Sequence, residues 1–341
     1  MKFSDVLDIR NGRNQRQVEN ENGKYPIYGS GGIMGHATDF ICDAGTVVIG
    51  RKGSINNPIF VDEPFWNVDT AFGLVAHRDV LLPKYLFYFC VNFDFERLNT
   101  TVTIPSLTKA NLLQIEINVP DMDEQRRVVS ILDKICQLID LQQQELHSLD
   151  QLVKSRFIEL FGDQTANPYA WQQTSIGACC TLKSGTSLPA DRENEGGAIP
   201  YVKVGDMNYP GNEQYITTSS RFVSEQTAGT GVFPVGTVVF PKRGGAIGTN
   251  KKRLTRIPIC ADLNVMGVTA GRRLTPQYLM AYFNTVDLGT LNNGSSVPQI
   301  NNKDIAPLLI CIPPMALQEQ FAAFVEQTDK SKLCGKMGVA A

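Results

Sequence analysis

The most regular hydrophobic pattern in the chain lies in its middle. Residues 124–161 contain neither glycine nor proline, and apolar side chains recur there at alternating spacings of three and four. Such spacing places apolar residues along one face of a helix and is typical of a coiled-coil seam. The pattern therefore predicts one helix of about 57 Å, whose apolar face needs a partner. The seam positions are Val128, Leu132, Ile135, Ile139, Leu146, Leu149 and Val153, with a polar interruption at Gln142.

The segments on either side of this helix follow a different pattern. Short apolar and β-branched runs at 46–49, 113–119, 237–240 and 308–312 are separated by Gly, Pro and Asn, and a short helix is predicted at 83–93. A chain of 341 residues is long enough for two domains. We therefore predict an α+β protein with two α/β domains separated by the long helix.

The two flanking segments repeat one another. The matches are collinear, with offsets of 191, 193, 193 and 195, and a weaker match near the chain start has an offset of 173. A collinear repeat predicts two related domains, and the loops between the matches differ. The matched strings are Gly45-Thr46-Val47-Val48-Ile49 with Gly236-Thr237-Val238-Val239-Phe240, Pro83-Lys84-Tyr85-Leu86 with Pro276-Gln277-Tyr278-Leu279, Ile104-Pro105-Ser106-Leu107 with Val297-Pro298-Gln299-Ile300, Glu124-Gln125 with Glu319-Gln320, and Ile9-Arg10-Asn11-Gly12 with Leu182-Lys183-Ser184-Gly185.

The repeat also predicts the domain boundaries. We expect a first domain at 1–120, the long helix at 121–163, a second domain at 164–313, and a second helix with a tail at 314–341. The second helix is predicted to run for about 14 residues from Glu319 to Lys332, because Gly335 and Gly338 interrupt the sequence that follows.

Composition narrows the class of protein. The chain has 32 basic and 34 acidic residues, so binding to nucleic acid must come from local basic patches. No apolar run reaches the roughly 18 residues of a membrane span, and the start lacks the apolar stretch of a signal peptide, so we expect a cytoplasmic protein with no membrane contact. The eight cysteines show no C-x-x-C spacing and the three histidines lie far apart, so we expect neither a metal nor another cofactor.

Two loops carry the candidate chemistry. Lys242–Arg256 holds six basic residues and no acidic one, and the equivalent loop Arg51–Asn57 holds two cations and two amides. Cations beside flexible backbone suit phosphate contact, and Arg or Asn can form paired hydrogen bonds with base edges. With nearby polar positions, the DNA-binding candidates are Arg13, Asn14, Ser30, Arg51, Lys52, Ser54, Asn56, Lys183, Ser184, Lys242, Arg243, Asn250, Lys251, Lys252 and Arg253.

Enzymatic chemistry has weaker support. The glycine-rich segment 29–36 lacks the strand, helix and Lys-Ser or Lys-Thr pair of a phosphate-binding loop. Asn57-Pro58 and Asn167-Pro168 lack the second proline of the Asn-Pro-Pro-Tyr motif that holds a flipped adenine, and such dipeptides are typical of turns. A nuclease would need clustered carboxylates to hold a metal ion. The carboxylates at 121–124 lie where the long helix begins, and negative charge is favourable there.

Two diverged domains, each followed by a helix that opens with proline and then Glu-Gln, resemble the specificity subunit of Type I restriction-modification systems, the HsdS family. The resemblance rests on segments 45–55 and 236–247, 119–125 and 312–320, and on Asp329-Lys330-Ser331-Lys332. It implies a non-catalytic subunit in which each domain reads half of a bipartite double-stranded DNA target. It also implies that the helices set the gap between the halves and dock two adenine methyltransferase subunits, and that a restriction subunit joins this core.

Two other hypotheses stay open. The chain could be a protein-interaction scaffold that does not read DNA, or, with less support, a stand-alone DNA-modifying enzyme. In addition, a short second helix would leave part of the first helix's seam without a partner. We therefore expect residues 124–161 to associate with the methyltransferase subunits or with a second copy of the chain.

Overall fold

The computed structural model describes residues 1–99, 105–291 and 297–340, with side chains described as far as Leu333. Ile104, which belongs to one of the repeated strings, lies outside the described residues. The chain forms two compact units, Met1–Leu141 and Gln142–Ala341, and the division between them falls inside the long helix.

The first unit contains two small sheets. Its strands are β1 (Leu7–Asn11), β2 (Tyr25–Gly29), β3 (Gly32–Ala37), β4 (Thr46–Gly50), β5 (Ile59–Val61), β6 (Trp66–Asn67) and β7 (Ala71–Ala76). Its helices are α1 (Phe3–Val6), α2 (Pro83–Asn92), a 3-10 turn at Phe95–Leu98, and α3 (Lys109–Leu113); α4 (Met122–Phe161) follows and runs into the second unit. The larger sheet is antiparallel with the order β1-β7-β4-β5, and the smaller has the order β3-β2-β6.

The second unit contains the same two sheets with additions. Its strands are β8 (Gln172–Ser175), β9 (Cys180–Ser184), β10 (Ile199–Val202), β11 (Tyr215–Ile216), β12 (Phe222–Val223), β13 (Thr237–Pro241), β14 (Arg253–Thr255), β15 (Cys260–Ala261), β16 (Val265–Ala270) and β17 (Leu309–Ile312). Its helices are α5 (Ile176–Cys179), α6 (Glu225–Ala228), α7 (Pro276–Thr285), α8 (Asn302–Ile305) and α9 (Met315–Ala340), with 3-10 turns at Val204–Asn208, Gly229–Gly231, Gly245–Thr249 and Leu288–Leu291. The strand orders are β11-β14-β13-β16-β9, β12-β10-β15 and β17-β8.

Strand register confirms the repeat. Val48 pairs with Gly73 across β4 and β7, and Val239 pairs with Gly267 across β13 and β16, which confirms the offset of 191 for the first strand of each pair. The weak match near the chain start is also confirmed, because β1 pairs with β7 as β9 pairs with β16. The order β1-β7-β4-β5 of the first unit therefore recurs as β9-β16-β13-β14 in the second.

A buried glutamine connects each long helix to its own unit. In the first unit Gln125 Oε1 accepts from Leu82 N at 2.8 Å, and its Nε2 donates to Val80 O at 2.8 Å and Pro120 O at 2.9 Å. In the second unit Gln318 makes the same three bonds. Its Oε1 accepts from Thr275 N at 2.9 Å, and its Nε2 donates to Arg273 O at 3.0 Å and Pro313 O at 2.9 Å.

The position of this glutamine corrects one predicted match. The sequence comparison paired Gln125 with Gln320, at an offset of 195, but the structural equivalent is Gln318, at 193. Both Gln125 and Gln318 are fully buried, whereas Gln320 is exposed. The sequence favoured Gln320 because it shares the Glu-Gln dipeptide with Gln125. Burial and hydrogen bonding instead identify Gln318 as the equivalent residue.

Two other local predictions were wrong. The strand predicted at 113–119 is not formed. Residue 113 ends α3, and within 114–119, all of which the structure describes, a single bridge joins Glu116 to Lys2. The second helix does not stop near Lys332 but runs through both glycines to Ala340. A helical glycine costs about 1 kcal/mol relative to alanine without removing a hydrogen bond, so it weakens a helix without ending it. With 26 residues against 40, α9 is still shorter than α4.

The end of α4 packs against α9 in the second unit. Phe157 and Phe161 contact Phe321, with ring centroids 5.6 and 5.5 Å apart, and all three rings are buried. Further along, Lys332 Nζ lies 2.6 Å from Asp150 Oδ1. Residue numbers fall along α4 as they rise along α9, so the two helices are antiparallel here. This contact covers part of the predicted seam within the chain itself.

The Asp329 carboxylate fastens α9 to the sheet of the second unit. Its Oδ1 accepts from Gln214 Nε2 at 3.0 Å, and its Oδ2 accepts from the Tyr215 hydroxyl and lies 3.4 Å from Arg256 Nη2. The Arg256 guanidinium in turn lies 3.8 Å from the centroid of the Tyr215 ring. A carboxylate with this many donors holds α9 at one rotation, which gives the Asp329-Lys330-Ser331-Lys332 string a structural role.

No helix among the described residues is both long enough and apolar enough to span a membrane.

Candidate nucleic-acid interface

The two basic loops occupy equivalent places at one edge of each larger sheet. The loop that follows β4 is held by Gly53 N donating to Pro105 O at 3.1 Å and Leu107 N donating to Arg51 O at 2.9 Å. The loop that follows β13 is held by Gly244 N donating to Pro298 O at 2.8 Å and Ile300 N donating to Lys242 O at 2.8 Å. The same backbone bonds therefore present a cationic pair in both units.

Backbone conformation and burial shape these loops in the same way. Gly53 and Gly244 have φ values of +81° and +76°, a region that favours glycine. A few residues later, Ile55 and Ile247 are buried in the cores of their units. Each loop is thus pinned by an apolar side chain a few residues after its glycine, and Arg51, Lys52 and Arg243 before these side chains are exposed.

Sheet topology brings other candidates of the first unit to the same edge. Because β1 and β4 are both antiparallel to β7, their carboxyl ends meet where β7 begins. Arg13 follows β1, and Arg51 N donates to Thr70 O at 2.8 Å just before β7. Ser30 follows β2, and its Oγ lies 3.9 Å from the position that a Cβ on Gly53 would occupy.

Most candidates of the first unit are exposed at this edge. Arg13, Asn14, Arg51, Lys52 and Ser54 are exposed, and Ser30 is half-buried. The Arg51 guanidinium lies 5.7 Å from the centroid of the Phe72 ring, which orients it. The side-chain Oδ1 of Asn14 accepts from Arg16 N at 3.0 Å and shapes the turn. The first unit therefore presents three arginine or lysine side chains and small polar groups together.

The second unit presents fewer free cations. Arg243 is exposed. Lys242 Nζ donates to Ser184 Oγ at 2.9 Å, and burial lowers the pKa of Lys242. Lys183 Nζ donates to Val232 O at 3.1 Å and to Thr230 O, so its side chain ties two segments of the unit together.

Comparison with known proteins identifies the family. The sequence pattern of the Type I restriction modification DNA specificity domain matches residues 1–151 and again residues 168–334. The chain belongs to this family. Each of the two matched segments contains one of the basic loops, so the two units are its first and second specificity domains.

Relatives of the chain carry the same description. It is 22% identical over 307 residues to the Type I restriction enzyme MjaIX specificity subunit of Methanocaldococcus jannaschii, with 82% of this chain and 68% of that protein covered. It is 19% identical over 325 residues to the putative type I restriction enzyme specificity subunit S.HindORF215P of Haemophilus influenzae, with 89% and 80% covered.

Solved structures share the fold. A Type-I restriction-modification system S subunit from M. genitalium superposes with a TM-score of 0.65 at 16% identity, covering 100% of this chain and 91% of that one. A chain from a structure on complex assembly and conformational transition of the type I R-M system gives a TM-score of 0.57 at 17% identity, covering 100% and 92%. At these identities the likeness shows the architecture of two specificity domains and a long helix.

Lys252, one of the DNA-binding candidates, is buried. This side chain of the second specificity domain is 4% exposed, and its Nζ donates to Val286 O at 2.6 Å and Asn250 Oδ1 at 2.8 Å. Burial lowers the pKa of Lys252 from 10.5 to about 8. Lys252 therefore stabilises the fold from inside and cannot contact a phosphate without leaving the core.

Arg253 is also used within the domain. Its guanidinium donates to three carbonyl oxygens, Asn212 O at 2.6 Å, Lys252 O at 2.8 Å and Met207 O at 3.2 Å. Three of the five N–H donors of this half-buried arginine are therefore used within the domain. The run of basic residues at 242–256 suggested a surface loop. The sequence does not show which of these cations turn inward.

The repeated asparagines Asn56 and Asn250 have the same structural role in both domains. Asn56 Oδ1 accepts from Phe95 N at 2.7 Å, and Asn250 Oδ1 accepts from Leu288 N at 2.9 Å, at the start of equivalent 3-10 turns. Their recurrence in the two loops is explained by this cap, and their contact with DNA stays a prediction.

Two exposed residues of the second specificity domain were missed. Asn208 and Tyr209 follow β10 and lie beside the basic loop, where Lys251 Nζ donates to Asn208 Oδ1. The turn signal Tyr209-Pro210-Gly211 was available in the sequence, but Asn208 and Tyr209 precede Lys251 by 43 and 42 residues, so the sequence does not show that they lie beside it.

The buried ammonium of Lys252 predicts a pH effect on stability. Because its folded pKa of about 8 lies below its unfolded value of 10.5, the unfolded chain binds more protons between these limits, and stability rises with pH across that window. We expect the unfolding free energy of the wild type to increase relative to Lys252→Met over this range, measured by urea denaturation.

The exposed Lys52→Met variant controls for the loss of one positive charge. Parallel stability curves for the wild type and Lys252→Met between about pH 7 and 10 would contradict the burial of a titrating ammonium at this position.

Proposed function

We propose that this chain is the DNA specificity subunit of a type I restriction-modification complex and that each specificity domain reads one half of a bipartite target. The observation that carries this proposal is the duplicated basic loop, held by matching backbone hydrogen bonds at the same sheet edge of both domains. Membership of the DNA specificity family supports it. The two domains share this frame but differ in their neighbouring loops, so the two half-sites should differ in sequence.

The exposed cations have the chemistry that a DNA backbone needs. Arg13, Arg51, Lys52 and Arg243 are exposed at the two sheet edges, although the chain carries a formal net charge of −2. Phosphate neutralisation by such local clusters gives affinity without sequence information, and base contacts supply the specificity. The relevant charge is therefore local, at the ends of β1, β4 and β13.

The chain acts without catalysis of its own in this proposal. Methyltransferase subunits modify adenines at the selected site, and a restriction subunit cleaves DNA, while this chain selects the sequence. The relatives in Methanocaldococcus jannaschii and Haemophilus influenzae, described as specificity subunits, support this division of labour.

The first part of α4 supports a docking role for the long helix. Five apolar side chains between residues 131 and 141 are exposed: Ile131, Ile135, Leu138, Ile139 and Leu141. The other predicted seam residues Val128, Leu132, Leu146, Leu149 and Val153 are half-buried. An exposed apolar stripe of this length is typical of an interface. We propose that the methyltransferase subunits cover it.

A bipartite target is the first test of this function. When the chain is produced with its methyltransferase subunits, we expect methylation sequencing to show two short specified parts of different sequence separated by an unread gap. Half-site centres about 10 base pairs apart would let both domains face one side of the duplex. A continuous or palindromic motif would be incompatible with two different reading domains.

The exposed loop cations predict a change in salt dependence. Replacing Arg51 and Lys52 together with Ala should flatten the slope of log K against log salt by about 1.8, because two phosphate contacts are lost. Stability should change little, since both side chains are exposed.

The matched control for this double variant is Arg272→Ala with Arg273→Ala. These two exposed arginines follow the carboxyl end of β16, at the edge of the second domain's sheet that lies opposite its basic loop. An equal loss of slope in both double variants would mean that general charge, not the loop, attracts the DNA.

The exposed stripe of α4 predicts a loss of assembly. Ile135→Glu and Leu138→Glu should abolish co-purification of the methyltransferase subunit while leaving the melting temperature nearly unchanged, because both side chains are exposed. Gln137→Glu, at an exposed position between them, is the control.

Light scattering of the chain alone tests whether the exposed stripe of α4 instead mediates self-association. Dimers that both variants disrupt, with methyltransferase binding intact, would instead assign the stripe to self-association.

A further inference from the structure

The two specificity domains diverge after the first strand of the smaller sheet, next to the basic loops. The smaller sheets are equivalent up to the end of their first strands, because Val68 N donates to Tyr28 O at 3.0 Å and Asp262 N donates to Val202 O at 2.9 Å. In the first domain β2 then turns directly into β3. In the second domain β10 leads into the 3-10 turn Val204–Asn208 and a longer excursion before β11.

Two buried polar side chains give this excursion a defined shape. Asp206, 5% exposed, accepts from Lys203 N at 2.7 Å and from Ser220 Oγ at 2.8 Å. Asn212, fully buried, donates through Nδ2 to Asp206 O at 2.9 Å and accepts at Oδ1 from Thr217 N at 2.9 Å. Buried groups that are satisfied in this way hold the segment between them in one conformation.

A neighbouring strand clamps the same segment from the side. Arg253, in β14, donates to Met207 O and Asn212 O, one on each side of the tip 208–211. Lys251, just before β14, donates to Asn208 Oδ1. The Asn208 amide is therefore oriented by a cation, and the tip is fixed at both ends while its own side chains face outward.

The tip carries chemistry suited to base edges. Asn208 is exposed, and the Tyr209 ring is 45% exposed. An asparagine amide pairs with the N6 and N7 edge of adenine, and an exposed aromatic ring offers an apolar or stacking contact. At the corresponding place in the first domain the hairpin after β2 exposes Ile33 and Met34, which is a different chemistry in the same location.

We propose that Asn208 and Tyr209 read base edges in the half-site of the second specificity domain and that Arg253 is the residue that positions them. This inference rests on the proposed function and specifies which segment of the second domain supplies the sequence preference. The basic loop with Arg243 then supplies affinity, and the clamped tip supplies discrimination.

The test uses the full chain assembled with its methyltransferase subunits. Methylation sequencing of Asn208→Ala and Tyr209→Ala should show discrimination reduced by about tenfold at one or two base pairs of one half-site, with the other half-site unchanged. Tyr169→Ala is the control, because Tyr169 is 52% exposed on the segment that follows α4. Wild-type sequence preference in both variants would overturn the inference.

Arg253→Lys tests the positioning role separately. It keeps the charge but cannot bridge the same carbonyl oxygens, so it should relax preference at the same base pairs as Asn208→Ala. Adding Arg253→Lys to a variant that carries both Asn208→Ala and Tyr209→Ala should cause no further loss of discrimination, because Arg253 acts through these two side chains. Additive losses, or a loss at other base pairs, would remove Arg253 from this role.

Failure of the proposed function and failure of the assignment of the tip give different results. If the wild-type complex methylates without any sequence preference, the proposed function is wrong. If the wild type has a bipartite preference that none of the tip variants changes, only the assignment of the tip is wrong.

Discussion

The buried glutamine at the start of each long helix is the interaction on which the architecture of both domains depends. The Gln125 amide satisfies one N–H and two carbonyl groups from two segments of its domain, and Gln318 does the same. A buried backbone group left without a partner costs about 1–3 kcal/mol, so a helix that began at another angle would lose several such bonds. The direction in which α4 and α9 leave their domains is thereby tied to the interior of each domain.

The same reuse of backbone hydrogen bonds separates a constant part of the proposed interface from a variable part. The loops after β4 and β13 are held by matching carbonyl and amide groups, and both carry adjacent cations. Next to them, the first domain places a short hairpin and the second places a clamped excursion. A duplicated frame can in this way keep contact with a uniform phosphate backbone while each domain presents different side chains to the bases.

Cations in the second domain are divided between structure and surface. Lys252 and Arg253 belong to the most basic run in the chain, yet their donors are taken by carbonyl and amide oxygens of the domain. Arg243, on the loop before them, stays exposed. Internal cations of this kind shape the neighbouring segments that reach the surface, as Arg253 does for residues 207–212.

Much of this organisation could be predicted from the sequence. Periodicity over 124–161 determined the long helix, and the collinear repeat determined two related domains with cationic loops after equivalent strands. Local patterns suffice for these features because helix periodicity and turn residues act over a few positions. Tertiary structure alone decided that Gln318 is the partner of Gln125, that Lys252 is buried, and that Asn208 lies against Lys251. Those outcomes depend on packing between segments more than 30 residues apart, and side-chain type in a single sequence does not show which way a cation or an amide turns.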